Sequence, residues 1–243
     1  MAASSTEICN NALTLIGARR IVSVNDPSKE GRACNDNYDI SRKALLRLHP
    51  WNFATMRKVF TRTVISSVVD DGSGQCLVTT ATAHGLTIGD LVIVEDVAGT
   101  TEVNTTGSTI SANTTTSFTL PIAFVNAYTS GGYCLKTSLF GYKYKFTLPS
   151  DFLRIHTLAD TADVALAEDE WKIEGLFLLT DYTDLRLRYI FDCSDTTLFD
   201  ALFDEAVALM LATKIAFKIS GSEMQVDNLQ RRLRDVVGKA RFV

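Results

Sequence analysis

Apolar positions change their period along this chain, and the changes mark out its elements. Ile8, Ala12, Leu15 and Ile16 recur at helical spacing behind the stretch Ser4-Ser5-Thr6-Glu7, where a hydroxyl caps the first turn and Glu7 suits the positive helix end. This helix is predicted to end near Gly17. Val24-Asn25-Asp26-Pro27-Ser28 reads as a turn, with Pro27 presetting φ and Ser28 placed to cap a second helix. That helix carries Cys34, Tyr38, Ser41, Leu45 and Leu48 on one face. Pro50 ends it, leaving Trp51 and Phe53 to pack where the chain departs.

From about Thr61 to about Lys136 the chain turns to Thr, Ser, Val and Gly in short alternating runs: Thr61-Arg62-Thr63-Val64-Ile65, Leu91-Val92-Ile93-Val94, Ser117-Phe118-Thr119-Leu120. Strands joined by tight turns are expected, with Asp70-Asp71-Gly72-Ser73-Gly74 and Gly99-Thr100-Thr101 supplying turn chemistry. Their spacing suggests a small inserted barrel or sandwich. A second β-region begins at Phe146-Thr147-Leu148-Pro149. Trp171 to Leu179 reads as a hairpin about Glu174-Gly175, and Asp184 to Ile190 alternates as a half-buried strand.

Helical spacing then returns. Asp195 or Thr196 is placed to cap a helix running to about Ile219, on which Leu202, Ala206, Leu209, Thr213 and Ala216 form a stripe that Phe199, Phe203, Met210 and Phe217 widen. Coverage this broad implies burial on more than one side. After Ser220-Gly221-Ser222 a last helix sets Leu229, Leu233, Val236 and Ala240 on one face, away from its charges. The expected fold class is α+β: a four-helix bundle made by the N- and C-terminal helix pairs, with a β-region and an inserted small β-barrel or sandwich. The expected domains are residues 1–60 with 192–243 for the helices, 61–137 for the insert and 138–191 for the short β-region.

At 243 residues the chain is long enough to bury a core without staples, and no apolar run approaches the roughly 18 residues of a membrane span. An acidic residue precedes the first apolar stretch, so a signal peptide is not expected and a cytoplasmic setting is. A net charge of −4 argues against a dedicated nucleic-acid binder. Cys9, Cys34, Cys76, Cys134 and Cys193 are scattered without metal-ligand spacing, and His49, His84 and His156 read as turn or packing residues. No phosphate loop, HExxH pair or Gly-x-Ser-x-Gly elbow is present, so no catalytic, cofactor or metal residue is expected. Asp70 and Asp71 lack the ligand spacing of a calcium loop. Asp160, Asp163, Glu168, Asp169 and Glu170 read as acidic loops rather than a hydrolytic pair.

One local asymmetry stands out. Arg231, Arg232, Arg234, Lys239 and Arg241 face only Asp227 and Asp235. As a solvated helix face this needs no partner. As an interface, Arg231, Arg234, Lys239, Arg241 and Phe242 would dock into an acidic cleft, with the apolar face anchoring the helix and the charges setting register. A weak contact with DNA is a further use of the same charges.

Two helical patterns ending in His49-Pro50-Trp51-Asn52-Phe53, then Leu148-Pro149-Ser150-Asp151-Phe152-Leu153-Arg154, Leu185 to Ile190, Leu198 to Ala206 and Lys214 to Ser222, together resemble the head-to-tail adaptors of short-tailed bacteriophages, the tail tubular A type. The match covers both flanks, and order and spacing carry it. The stretch Thr82 to Val94 with Thr116 to Leu120 is similar to a β-module of phage virion proteins that resembles the first catalytic cysteine half-domain of ubiquitin-activating enzymes. That likeness is architectural, and no activity follows from it.

The adaptor resemblance implies a non-catalytic structural virion protein, present in the host cytoplasm during assembly and then at the portal-tail junction. It implies a dodecameric ring of this chain that contacts the portal protein and the tail nozzle protein and extends the channel for DNA ejection, with no membrane partner. For the subunit interface the expected residues are Phe199, Phe203, Met210 and Phe217. The alternative is a tail or surface protein whose β-insert recognises a host glycan, and a lytic enzyme ranks third.

Overall fold

The computed structural model describes residues 4–221 and 223–240. Among them are four α-helices and thirteen strands. The architecture is not the expected four-helix bundle with a small insert. Strands dominate, and seven of them form one large curled antiparallel sheet, a half-barrel. The physical reason is long-range pairing: alternation identifies a strand but leaves its hydrogen-bonding partner open. The chain divides into two compact units, Met1–Met56 with Asp151–His156 and Arg188–Val243, and Arg57–Ser150 with Thr157–Leu187. The expected insert and most of the expected short β-region therefore share one unit.

In the first unit, α1 (Ser5–Leu15) opens with a reciprocal cap. The Glu7 amide donates to Ser4 Oγ at 3.2 Å and the Ser4 amide donates to the Glu7 carboxylate at 2.7 Å. From within α1 the buried Asn10 amide group brackets Ile21, beyond the helix end, accepting from its N–H at 2.8 Å and donating to its carbonyl at 3.0 Å. α2 (Lys29–Leu48) starts at the Ser28 cap and stops before Pro50. Gly31 in its first turn is obligatory, because a Cβ there would lie 2.2 Å from the Asp26 carbonyl oxygen.

α3 (Ala201–Ser220) begins later than expected. Asp195 caps only a short 3-10 turn, Thr196–Leu198, and extended backbone at Phe199 separates that turn from the helix, which Asp200 caps through the Phe203 amide at 2.7 Å. α1, α2 and α4 (Glu223–Ala240) all pack on α3. Trp51 and Phe53 seal one end against Phe199 and Phe203, with ring centroids 4.9–5.4 Å apart.

Across this core lies one buried cation. Arg42 on α2, 2 % exposed, donates to Asp192 at 2.6 Å and to the Cys193 carbonyl at 2.5 Å, while Lys43 meets the other Asp192 oxygen at 2.8 Å.

In the second unit the half-barrel runs in the order β5 (Thr105–Thr109), β4 (Leu91–Ala98), β8 (Ser130–Lys136), β2 (Thr63–Asp70), β3 (Gln75–Thr80), β7 (Ser117–Ala123), β6 (Ala112–Asn113). Its register slips between Ile65 and Ser67 and between Val92 and Val94, each slip adding local twist. A third slip, opposite Gln75 and Cys76, lets Pro121 sit in a strand without owing the ladder an N–H. Ile65, Val78, Val92, Val94, Phe118 and Leu120 fill its core. Gly132 is fixed by that packing: its φ is +98° and a Cβ would lie 2.4 Å from Val97 Cγ2.

A smaller sheet of the same unit has β12 (Phe177–Thr180) between β11 (Trp171–Glu174) and β9 (Tyr144–Thr147). The hairpin predicted there exists, with Glu174 opposite Phe177, so the turn residues are Gly175 and Leu176. A third sheet has the order β1 (Thr55–Phe60), β13 (Leu185–Phe191), β10 (Phe152–Ala159).

Candidate functional site

α4 carries the charge asymmetry, and its packing decides what that helix can offer. Leu229, Val236 and Ala240 are buried in the same core cluster as α1, α2 and α3, with Val226, Leu233 and Val237 half-buried beside them. Gln225 donates to the Leu15 carbonyl at 3.3 Å, closing the C-terminal end of α1. The apolar face of α4 is thus occupied by its own unit and is not free to anchor in a partner, which corrects that part of the docking expectation.

The solvent side of α4 remains. Arg231, Arg232, Arg234 and Lys239 are all exposed, and none is ion-paired among the described residues. Asp227 and Asp235 lie one turn to either side of Arg231, so the face is mixed but cationic on balance. Arg241 and Phe242 lie outside the described residues.

The four residues expected at a subunit interface separate. Phe203 is fully buried and Phe199 nearly so, both within the aromatic cluster that holds Trp51 and Phe53. Met210 is half-buried, and Phe217 is 61 % exposed. The broad apolar coverage of α3 is consumed by three helices of the same chain, and Phe217 alone of the four offers a ring to solvent.

The structure also joins residues that are far apart in sequence. His49, Pro50, Trp51, Asn52, His156, Asp200, Ala201, Leu202 and Ala240 line a cavity of about 390 Å³ in the first unit. His49 stands edge-on to Trp51 at 4.9 Å, and Asp200 is committed to its cap. His84, in the second unit, accepts the Leu86 amide at Nδ1 (2.9 Å), and its Nε2 faces the Ser117 carbonyl at 3.2 Å, the geometry of a turn residue.

Asp70, Asp71, Asp160 and Glu170 are likewise taken up by turns. Asp70 and Asp71 accept backbone amides from Gly72, Ser73, Gly74 and Gln75. Asp160 caps the Ala162 and Val164 amides, and Glu170 accepts from the Ala167 amide and the Tyr182 hydroxyl. Among the described residues no group of three or more His, Cys, Asp or Glu could hold a metal ion. No described helix is long and apolar enough to cross a membrane.

No protein-family model and no curated protein matches the chain.

One surface escaped the sequence reading. Two cavities in the second unit, of about 440 and 530 Å³, share Lys136 and Lys145 as a common wall. Lys58 and Arg62 line the first and Lys172 the second. Lys145 and Lys172 both sit opposite Leu179, one on each side of β12, so they share a face of that sheet. The alternation Tyr144-Lys145-Phe146 carried a trace of this, but the register that aligns the lysines depends on partners the sequence does not name.

Proposed function

We propose that this chain is a structural virion subunit, a head-to-tail adaptor that forms a ring between the portal and the tail nozzle and extends the DNA channel. The observation that carries the reading is α4: an ordered helix, held on its apolar side by α3, that turns Arg231, Arg234 and Lys239 outward with no ion-pair partner among the described residues. Such a preformed cationic face steers association with an acidic surface and fixes its register without an ordering cost at binding. The order of the flank motifs from His49-Pro50-Trp51-Asn52-Phe53 to Lys214–Ser222 supports the same reading. The β-rich unit is then a decoration of the ring.

Native mass spectrometry of the chain with the portal ring tests this. The expected result is assembly of about twelve copies on the portal, matching a closed ring. The triple charge reversal R231E/R234E/K239E is expected to abolish that assembly while circular dichroism and melting stay unchanged. Failure of the unaltered chain to bind any portal ring overturns the proposal, and intact docking of the triple variant removes α4 from it.

A further inference from the structure

We propose that the two joined cavities of the β-rich unit form a groove that binds an acidic polysaccharide, through ammonium groups and hydroxyls rather than aromatic platforms. The first cavity is lined by Lys58, Arg62, Lys136 and Lys145 and by no carboxylate. The second adds Lys172 and brings in two acids, Asp90 and Glu174, each bound to a lysine, Asp90 to Lys136 at 2.7 Å and Glu174 to Lys172 at 3.2 Å. Arg62 is held more loosely by Asp96 and Asp184, at 3.8 and 3.7 Å, and lies over the Tyr133 ring. Lys58 and Lys145 have no carboxylate partner among the described residues.

In a chain of net charge −4, a cleft with this excess of cations stands against the overall field. Two of the cations stand close together. The Lys145 and Lys136 ammonium nitrogens lie 4.0 and 5.2 Å from the centre of the Phe177 ring, so they are no more than about 9 Å apart. Thr61, Thr82 and Thr147 line the first cavity and Thr109 the second, with exposed hydroxyls that no described group engages. Cations accompanied by idle hydroxyls are what a polymer bearing carboxylates or sulfates among its own hydroxyls requires.

Single-stranded nucleic acid is the competing polyanion, and the rings argue against it. Such strands gain much of their affinity by stacking bases on open aromatic faces. Phe60 and Phe146 are buried against one another at 5.1 Å, and Phe177 already carries two ammonium groups. In the whole groove Phe140, 86 % exposed, is the one widely open ring.

The test is binding of the full chain, at low salt, to a sulfated glycosaminoglycan and to a polyuronate. Neutral dextran and a single-stranded oligonucleotide serve as comparisons. Saturable binding to the acidic polysaccharides is expected, with affinity falling as salt rises. It should fall about tenfold or more in K58E/K145E, in line with the loss of two charge-assisted contacts. K58Q/K145Q, which adds no repulsion, should show the same direction with an unchanged melt. R231E/R234E/K239E, on the other unit, should bind as the parent does, which separates this proposal from the adaptor reading. Equal binding of dextran, tighter binding of the oligonucleotide, or unchanged affinity in a folded K58Q/K145Q variant each overturns it.

Discussion

Replacing Arg42 by alanine is the sharpest probe of how the helical unit holds together. Arg42 is 2 % exposed, and its guanidinium ties α2 to the chain leaving β13 through Asp192 and the Cys193 carbonyl, with Asp39 at 3.3 Å as a weaker third partner. Breaking a buried pair by removing one member costs about 3–5 kcal/mol, because the other is left buried and uncompensated. Here Asp192 keeps Lys43 at 2.8 Å and its side chain is 26 % exposed, so the lower end applies. A loss of about 3 kcal/mol corresponds to a fall in Tm of roughly 6–12 °C.

The pH dependence gives an independent check. Burial opposes the charge on Asp192, but Lys43 and Arg42 outweigh it and hold the carboxyl below its ordinary value. A depressed carboxylate stabilises the fold fully above its unfolded value of about 3.9 and ceases to as pH falls through the lower folded value. Calorimetric melts of parent and Arg42→Ala should therefore differ most at neutral pH and converge below about pH 4. A difference under about 2 °C at pH 7, the scale of a surface substitution, would refute a buried tie.

Other consequences follow from single sites. Asn10→Ala removes both bonds to Ile21 and leaves a buried amide and carbonyl unpaired; a loss of about 2–4 kcal/mol is expected in urea unfolding. Gly132→Ala meets Val97 at 2.4 Å from a left-handed backbone, so a loss of about 2–4 kcal/mol is expected in the half-barrel, and a neutral effect would contradict its register. All five cysteines are free and buried, and burial pushes the Cys134 and Cys76 thiols up to about 12 and about 11. At pH 8 a disulfide reagent should therefore label the native chain slowly, and all five thiols quickly in denaturant.

Local chemistry was the legible part of the sequence. Ser4 with Glu7, Ser28 and Pro50 mark real helix boundaries, and the Asp70 to Gly74 turn and the Trp171 hairpin lie where their residues placed them. Such signals act over a few residues. Asp195 shows their limit: it caps a turn as its residue type requires, yet extended backbone at Phe199 stops the helix from propagating, and Asp200 starts it again. Strand partners lay beyond reach. Nothing in Leu91–Ala98 names Ser130–Lys136 as its neighbour, and without that pairing the strands of the half-barrel read as a small separate module. The candidate surfaces divided in the same way. The cationic residues of α4 stand together within one helix and were visible, whereas Lys58, Lys136, Lys145 and Lys172 meet only after three sheets' worth of pairing is known.

The fate of the α3 aromatics sharpens the ring hypothesis into a paired test. A helix apolar on nearly every side suggested an interface between copies, but α1, α2 and α4 cover it, and Phe203 has no exposed surface left to give. Phe203→Ala should behave as a core truncation, losing about 3–5 kcal/mol and unfolding the chain before any assembly can be judged. Phe217 differs, being 61 % exposed between Lys214 and Lys218 near the end of the helix. Phe217→Ser should leave the Tm of the isolated chain nearly unchanged, within about 0.5 kcal/mol of stability, as for a surface site. If adjacent subunits in the proposed ring meet at this end of α3, the same substitution weakens portal-templated assembly in native mass spectrometry, because an exposed ring is the group here able to act as a hydrophobic anchor. Assembly equal to the parent's would take α3 out of the interface and leave polar surface to close the ring.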